Sequence, residues 1–330
     1  MQERSRKEKN ILYIVVPCYN EEQVLAETSK RLKEKCEMLI HDGKIAKESR
    51  IVFVDDGSKD HTWNMIDEFH KMDSIFSGVK LSRNRGHQNA LLAGLTMASE
   101  KADIVISMDA DLQDDINAVD QMIEKYYEGC DIVYGVRSAR DTDTFFKRFT
   151  AEAFYKLINK ISDADIVDGA RDFRLMKRDM VDAIIELNEY NRFSKGIFGW
   201  IGFRTYWLPY ENIERVAGET KWSFWKLFKY ALDGIVNFSQ TPLSIASFGG
   251  IFLTFVSFIA IIFVIVRRLI WGDPVDGWAS LVCIITFIGG IQLFCMGIMG
   301  QYLSKTYLET KHRPHYIVAE SNADDPVKIH

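Results

Sequence analysis

"ADIVISMDAD", residues 102–111, decides how this chain is read. Ile104, Val105 and Ile106 form an unbroken apolar run, and Asp109 and Asp111 follow at once, with Asp114 and Asp115 close behind. A continuous apolar run that stops abruptly is expected for a strand buried on both faces of a parallel sheet. "ILYIVVP" (11–17) and "RIVFVDDGS" (50–58) repeat the pattern, and "CDIVYGVR" (130–137) supplies a further strand. Helical stretches are expected between them at Glu21 to Leu39, Thr62 to Lys71, Gly86 to Ser99 and Ile116 to Tyr127. Strand alternating with helix implies an α/β domain with a parallel sheet.

Ligands of such sheets bind at the carboxyl ends of the strands. All four runs end there in polar or special residues: Pro17-Cys18-Tyr19-Asn20-Glu21, Asp55-Asp56-Gly57-Ser58, Asp109-Ala110-Asp111 and Gly135-Val136-Arg137. Four such ends on one rim define a site. Crowded carboxylates repel and lose hydration, so they either hold a cation or cap a solvated turn. Asp109 and Asp111, two apart at a strand end, address one point with hard oxygen ligands. That suits Mg²⁺ or Mn²⁺ bridging to a diphosphate. Asp114 and Asp115 read instead as residues favoured by the dipole of the following helix. The Asp55-Asp56-Gly57-Ser58 turn offers a carboxylate to a base N–H or a ribose hydroxyl, although the same four residues also make an ordinary turn. Arg137, Arg140, Arg148, Arg171, Arg174 and Arg215, with Lys147 and Lys221, supply positive charge; those just past a strand end are suited to gripping phosphate. No glycine-rich dinucleotide fingerprint follows the first strand and no P-loop occurs, which weakens both readings.

The 330 residues carry 41 Lys and Arg against 46 Asp and Glu, a net charge of −5, unlike a nucleic-acid binder. The mean hydropathy of −0.09 averages two unlike parts. Residues 244–266 and 277–304 carry no charge and each exceeds the roughly 20 residues that cross a bilayer. Separated only by "RRLIWGDPVD", they read as a transmembrane hairpin rather than as two core helices. Before them, "KWSFWKLFKYALDGIVNF" (221–238) sets Trp222, Trp225, Phe228 and Leu232 on one helical face, as in an ordinary amphipathic surface helix or one lying on anionic lipid, and its place just before a membrane span favours the second. The apolar stretch near the N-terminus is too short for a signal peptide, so the N-terminal region is expected in the cytosol. Cys18, Cys36, Cys130, Cys283 and Cys295 show no paired spacing, and neither a disulfide framework nor a zinc site is expected. The tail after Ala319 reads as disordered.

"VPCYNEE" (16–22), "VDDGSKD" (54–60), "SRNRGHQNALLAGL" (82–95), "DADLQD" (109–114) and "YGVRSAR" (134–140) together resemble inverting family 2 glycosyltransferases. "DFRLMKR" (172–178), "NRFSKGIFGWIGF" (191–203) and "ERVAGETKWSFWKLFKYALDGIVNFSQTPL" (214–243) are similar to the bacterial polyprenyl-phosphate subgroup, relatives of dolichol-phosphate mannose synthase. The resemblance implies a GT-A fold and a DXD motif at Asp109-Ala110-Asp111. It implies a nucleotide-sugar site at Pro17, Tyr19, Asn20, Glu21, Asp56, Ser58, Asp109 and Ala110, with Asp111 and Gln113 holding Mg²⁺ or Mn²⁺. Arg137 and Arg140 would grip a lipid phosphate, Asp172 would orient sugar or acceptor, and Lys221 would lie by the donor phosphates. Asp115 stands where relatives usually have proline, a departure in the acceptor-side loop.

The reaction so implied is inverting transfer of a hexose, glucose or N-acetylglucosamine, from a UDP-sugar to undecaprenyl phosphate for cell-envelope glycosylation. The implied organisation is a cytosolic catalytic domain over 1–204, interface helices over 205–243, a hairpin with spans near 244–268 and 279–303, and a cytosolic tail over 305–330. A multi-pass protein of the cytoplasmic membrane is expected, with the catalytic domain on the cytosolic side. Arg267 and Arg268 on the far side oppose the positive-inside tendency, but Lys305, Lys311 and Arg313 and the lysines before the first span outweigh them. The resemblance implies a homo-oligomer, with a tetramer as one form. Two rivals stay open: a processive polysaccharide synthase, although its QxxRW motif is absent, and a nucleotide-binding membrane regulator without turnover.

Overall fold

The computed structural model describes residues 9–137, 170–187, 189–190, 192, 194–210, 241–271 and 277–323. They form two compact units, a sheet domain that includes residues 313–323 and a separate pair of long helices.

The sheet domain opens with β1 (Leu12–Cys18), α1 (Leu25–His41), β2 (Arg50–Asp55), α2 (Thr62–Met72), β3 (Phe76–Leu81), α3 (His87–Ser99), β4 (Ile104–Ser107), α4 (Ala118–Tyr127) and β5 (Ile132–Arg137). It continues with β6 (Ala170–Lys177), α5 (Arg178–Glu186), α6 (Ser194–Ile201) and β7 (Thr205–Tyr210). The other unit holds α7 (Thr241–Trp271) and α8 (Trp278–Thr310), after which β8 (Val318–Ser321) belongs again to the sheet. Among the described residues eight strands run in the order β7-β5-β6-β4-β1-β2-β3-β8.

The apolar runs are buried on both faces, as their composition requires. In β1, Leu12, Ile14 and Val16 pack with Leu32 and Leu39 of α1, Ile66 of α2 and Met122 of α4. Tyr13 and Val15 face the opposite layer, with Ala90 to Leu95 of α3 and Met180 and Val181 of α5. Helix α3 lies so close to the sheet that a Cβ at Gly94 would sit 2.3 Å from Val15 Cγ1. Only glycine permits that approach.

The strand pairings correct three expectations. The sheet is mixed, not wholly parallel: β1, β2, β3 and β4 are parallel, but β6 runs antiparallel to both β4 and β5, and β8 antiparallel to β3. The reversal of β6 brings its first residues, Asp172 among them, to the rim where β1, β2 and β4 end. The tail is not disordered from Ala319: Glu320 and Ser321 pair with Lys80 and Val79, and Gly78 N donates to Asn322 Oδ1 at 2.6 Å. The edge strand β3 leaves backbone groups for that tail to satisfy. The catalytic sheet also extends past residue 204, because β7 pairs in parallel with β5 along its whole length. The amphipathic segment around Trp222 and Trp225 lies outside the described residues.

Candidate active site

The loops after β1 and β2 are tied to one another. Asp56 N donates to Cys18 O, Asn20 N to Ser58 Oγ at 2.9 Å, and Lys59 N to Asn20 Oδ1 at 2.9 Å. Glu21 N donates to Thr62 Oγ1 at 3.0 Å. Asn20 adopts a left-handed φ of 55°, a conformation that asparagine tolerates better than most residues, and it lets the chain turn sharply out of β1. Pro17 lies beside Val54 in the register, and Tyr19, at the mouth, is exposed. Tyr19, Asn20, Glu21 and Ser58 are thereby brought together.

Asp56 has a second task that the sequence did not reveal. It is buried, its Oδ1 accepts from Arg85 N at 2.6 Å and its Oδ2 from Gly86 N at 2.8 Å. Burial pushes its carboxyl up while those two hydrogen bonds hold it down; burial wins. Asp56 therefore fixes the loop that leads into α3. Gly57 makes this possible: at φ +69° a Cβ there would lie 2.5 Å from the Arg83 carbonyl carbon.

The Asp109–Asp115 loop leaves β4 with Met108 N donating to Val15 O. Thr28 Oγ1 donates to Ala110 O at 2.8 Å, and Gln113 N donates to Asp111 Oδ1 at 3.2 Å. Leu112, at φ 56°, pays for the sharp turn with left-handed strain and buries its side chain. Asp114 is the fastener. It is 1% exposed and accepts from Tyr210 Oη at 2.7 Å and from Asp109 N at 3.4 Å. It is thus not a helix-dipole residue; α4 begins only at Ala118. Asp115 does sit at the helix entry, accepting from Asn117 N at 2.9 Å.

Asp109 lies beside a cluster whose central member, His87, was missed. Its Nε2 is 3.1 Å from Asp172 Oδ2 and 3.8 Å from Asp109 Oδ1. Gln88 Nε2 reaches the same Asp172 oxygen at 3.5 Å, while Arg174 donates to Oδ1. The Arg174 side chain is 1% exposed and stacks over Phe198 at 3.7 Å and Tyr134 at 5.4 Å. Burial alone would lower the His87 pKa, but the bond to Asp172 and the charges of Asp172 and Asp109 raise it to about 9. The imidazole is therefore a cation at neutral pH. The one clue in the sequence was that "GHQ" begins a helix at the rim.

The rim thus gathers Tyr19, Asn20, Glu21, Ser58, Asp109, Asp111 and Asp172 on adjacent strands β2, β1, β4 and β6. The β5 backbone delivers Arg137 to the end of the neighbouring strand. Arg140 and Lys221 lie outside the described residues.

Residues 13–185 match Glycosyl transferase family 2. An uncharacterized glycosyltransferase of Bacillus subtilis, YkoT, is 45% identical over 95% of this chain and 92% of its own. The SfII prophage-derived bactoprenol glucosyl transferase of Shigella flexneri is 42% identical over 95% of this chain and 99% of its own. A solved mannosyltransferase of Pyrobaculum calidifontis, in complex with GDP-Man and Mn²⁺, is 15% identical, with a TM-score of 0.46 over 92% of this chain and 86% of that one. With its α/β sheet, its rim of carboxylates and these relatives along nearly its whole length, the chain belongs to glycosyl transferase family 2.

Proposed function

We propose that this chain is a membrane-bound inverting glycosyltransferase that moves a hexose, glucose foremost, from a UDP-sugar to undecaprenyl phosphate. The observation that carries the reading is the fastened Asp109–Asp111 loop on the open rim of a sheet whose chain also holds helices suited to lipid. Relatives named bactoprenol glucosyl transferases, matched along almost their full length, support a polyprenyl carrier and glucose.

The membrane part rests on side chains. Phe287–Thr310 in α8 is long and apolar enough to cross a bilayer. In α7, Phe248, Phe252, Phe255 and Phe258 are exposed, and in α8 Phe287, Leu293 and Phe294 are too. Apolar faces of this size call for a non-aqueous partner. We assign α7 and α8 to a hairpin with spans near 244–268 and 279–303. The catalytic domain then runs from the N-terminus through β7 and faces the cytosol, with interface helices between β7 and residue 243.

Asp111 and Gln113 are assigned as hard-oxygen ligands suited to Mg²⁺ or Mn²⁺, and Asp109 is assigned to the nucleotide sugar. Among the described residues no three His, Cys, Asp or Glu side chains come together to hold a metal ion. When bound, the cation would neutralise charge on the departing diphosphate. Tyr19, Asn20 and Ser58 are assigned to the nucleoside, and the carbonyl of Ala110 is held by Thr28. An oxygen of the lipid phosphate attacks the anomeric carbon from the face opposite the UDP leaving group; one C–O bond forms as the other breaks. The acceptor is already anionic near neutral pH, so alignment and positive charge matter more than a base. Arg137, Arg140 and Lys221 are assigned that charge.

The test is transfer of radiolabel from UDP-glucose, UDP-N-acetylglucosamine and GDP-mannose to undecaprenyl phosphate in detergent, with and without Mn²⁺, using the wild-type chain and Asp111→Asn. Label in the organic phase from one UDP-sugar, lost in the variant and after chelation, is expected. Nucleotide-sugar hydrolysis with no lipid product from any donor would overturn the reading.

A further inference from the structure

Both carboxylate oxygens of Asp172 are engaged by the protein: Oδ1 by Arg174, Oδ2 by His87 and Gln88. Its own carbonyl accepts from Ser107 Oγ. A carboxylate held by two cations is a poor proton acceptor and has little left to offer a substrate. The ring beside it is different. His87 Nε2 is committed to Asp172, whereas Nδ1 has no hydrogen-bond partner among the described residues, and the side chain is 39% exposed. The order of support runs outward: Phe198 and Tyr134 hold Arg174, Arg174 holds Asp172, and Asp172 sets the plane of the imidazole.

The register locates that ring. Ser107 of β4 pairs with Arg174 of antiparallel β6, so the chain two residues past Ser107, at Asp109, runs opposite Asp172. On the other side of β6, Val136 pairs with Ala170, which brings the backbone of Arg137 to the same rim. His87 therefore lies beside the sugar-side carboxylate Asp109, on the rim that also carries the strand end assigned to the acceptor phosphate.

We propose that His87 donates a hydrogen bond from Nδ1–H to an anionic oxygen of the acceptor phosphate, and that Asp172 is a positioning residue acting through His87. The inference rests on the transfer reaction proposed above. The ring lies against two carboxylates, Asp172 and Asp109, and a donor aimed from this flank would align an incoming phosphate oxygen and offset its repulsion from the donor diphosphate. The donor diphosphate could draw on the same chemistry, so the two sources must be separated.

The experiment uses the full-length protein in detergent with UDP-glucose and undecaprenyl phosphate varied independently, for wild type, His87→Ala, His87→Gln, Asp172→Asn and the double variants. His87→Ala is expected to lower kcat/KM for the lipid phosphate about 100-fold, the scale of losing one aimed donor. The KM for UDP-glucose should stay within about twofold, and His87→Gln, a neutral donor, should restore part of the loss. Asp172→Asn should cost about tenfold in the wild-type background but less than about threefold when His87 is already replaced, since residues acting in series are not additive. Equal costs in both backgrounds would give Asp172 its own contact with substrate and overturn the proposal. A loss confined to the UDP-glucose KM would assign His87 to the donor diphosphate and overturn it too. If His87→Ala does not fold, judged by UDP binding in calorimetry, the Gln pair completes the same cycle. Wild type without lipid product would refute the reaction itself, whereas active wild type with unaffected His87→Ala would refute only this inference.

Discussion

Replacing Tyr210 with phenylalanine removes one oxygen and little else. That oxygen donates to Asp114 Oδ1 at 2.7 Å, with Tyr210 4% exposed and Asp114 1% exposed, so water cannot readily take its place. Losing a buried hydrogen bond to a carboxylate costs about 1.5–3 kcal/mol. The ring remains packed edge-on against Phe173 at 5.5 Å, so no cavity term is added. For a sheet domain of this size, about 2 kcal/mol corresponds to a fall in Tm of roughly 4–8 °C. The chemical consequence should exceed the stability cost at working temperature. Asp114 also accepts from Asp109 N, so loosening it lets the Asp109–Asp111 loop drift, and a drift near 1 Å costs about 100-fold in aligned reactions. Thermal unfolding in detergent and steady-state transfer, measured on the same preparation, test both figures. A Tyr210→Phe chain with unchanged Tm and unchanged kcat/KM would refute the claim that Asp114 fastens the site.

Further outcomes follow from the same contacts. His87 has an ordinary pKa of 6.5 and one of about 9 in the folded chain. Because the folded value is raised, its ion pairs with Asp172 and Asp109 stabilise fully below pH 6.5 and are lost as pH rises through 9. The Tm difference between wild type and His87→Gln should therefore shrink between pH 6.5 and 9.5; a constant difference would contradict the ion pair. Gly94→Ala places a Cβ 2.3 Å from Val15 Cγ1 and should destabilise by about 1–3 kcal/mol, read as a lower denaturant midpoint with unchanged slope. Tyr316, fully buried against the α3 and α5 layer, ties residues 313–323 to the sheet domain. Tyr316→Ala should cost about 3–5 kcal/mol, the range for large aromatic truncations, and should expose the β8 segment to protease. An unaltered digestion pattern would show that the segment is not held by that side chain.

Strands with simple apolar runs were legible, and so were the helices between them. β1, β2 and β4 are buried on both faces, so composition alone marks them. β3 was not legible because "FSGVKL" mixes Ser, Gly and Lys, and its Gly78 is there to let Ile66 and Trp63 approach. β6 does not read as a strand, since "ARDFRLMK" places Arg174 where a buried strand should be apolar. That arginine is tolerated only by the aromatic rings of Phe198 and Tyr134 and by Asp172, partners no local pattern reveals. The antiparallel turn of the sheet and the return of β8 to β3 are long-range pairings of the same kind.

In the site, carboxylates at strand ends pointed to the rim, and their neighbours in sequence gave Tyr19, Asn20 and Asp111. What the sequence does not show is which groups hold one another. Asp56 spends its oxygens on the backbone of Arg85 and Gly86, Asp114 on Tyr210, 96 positions away, and His87 on Asp172, 85 positions away. Charge and spacing place an acid near a site; only the fold decides whether it faces the substrate or supports the residue that does.

The central claim is inverting transfer from UDP-glucose to a lipid phosphate, and the anomeric configuration of the product tests it most directly. The lipid made from UDP-α-glucose and undecaprenyl phosphate by the wild-type chain with Mn²⁺ would be extracted, and the proton and phosphorus couplings at the anomeric carbon measured. The account predicts one product, a β-linked glucosyl phosphate. An α-linked product, or none, would contradict it.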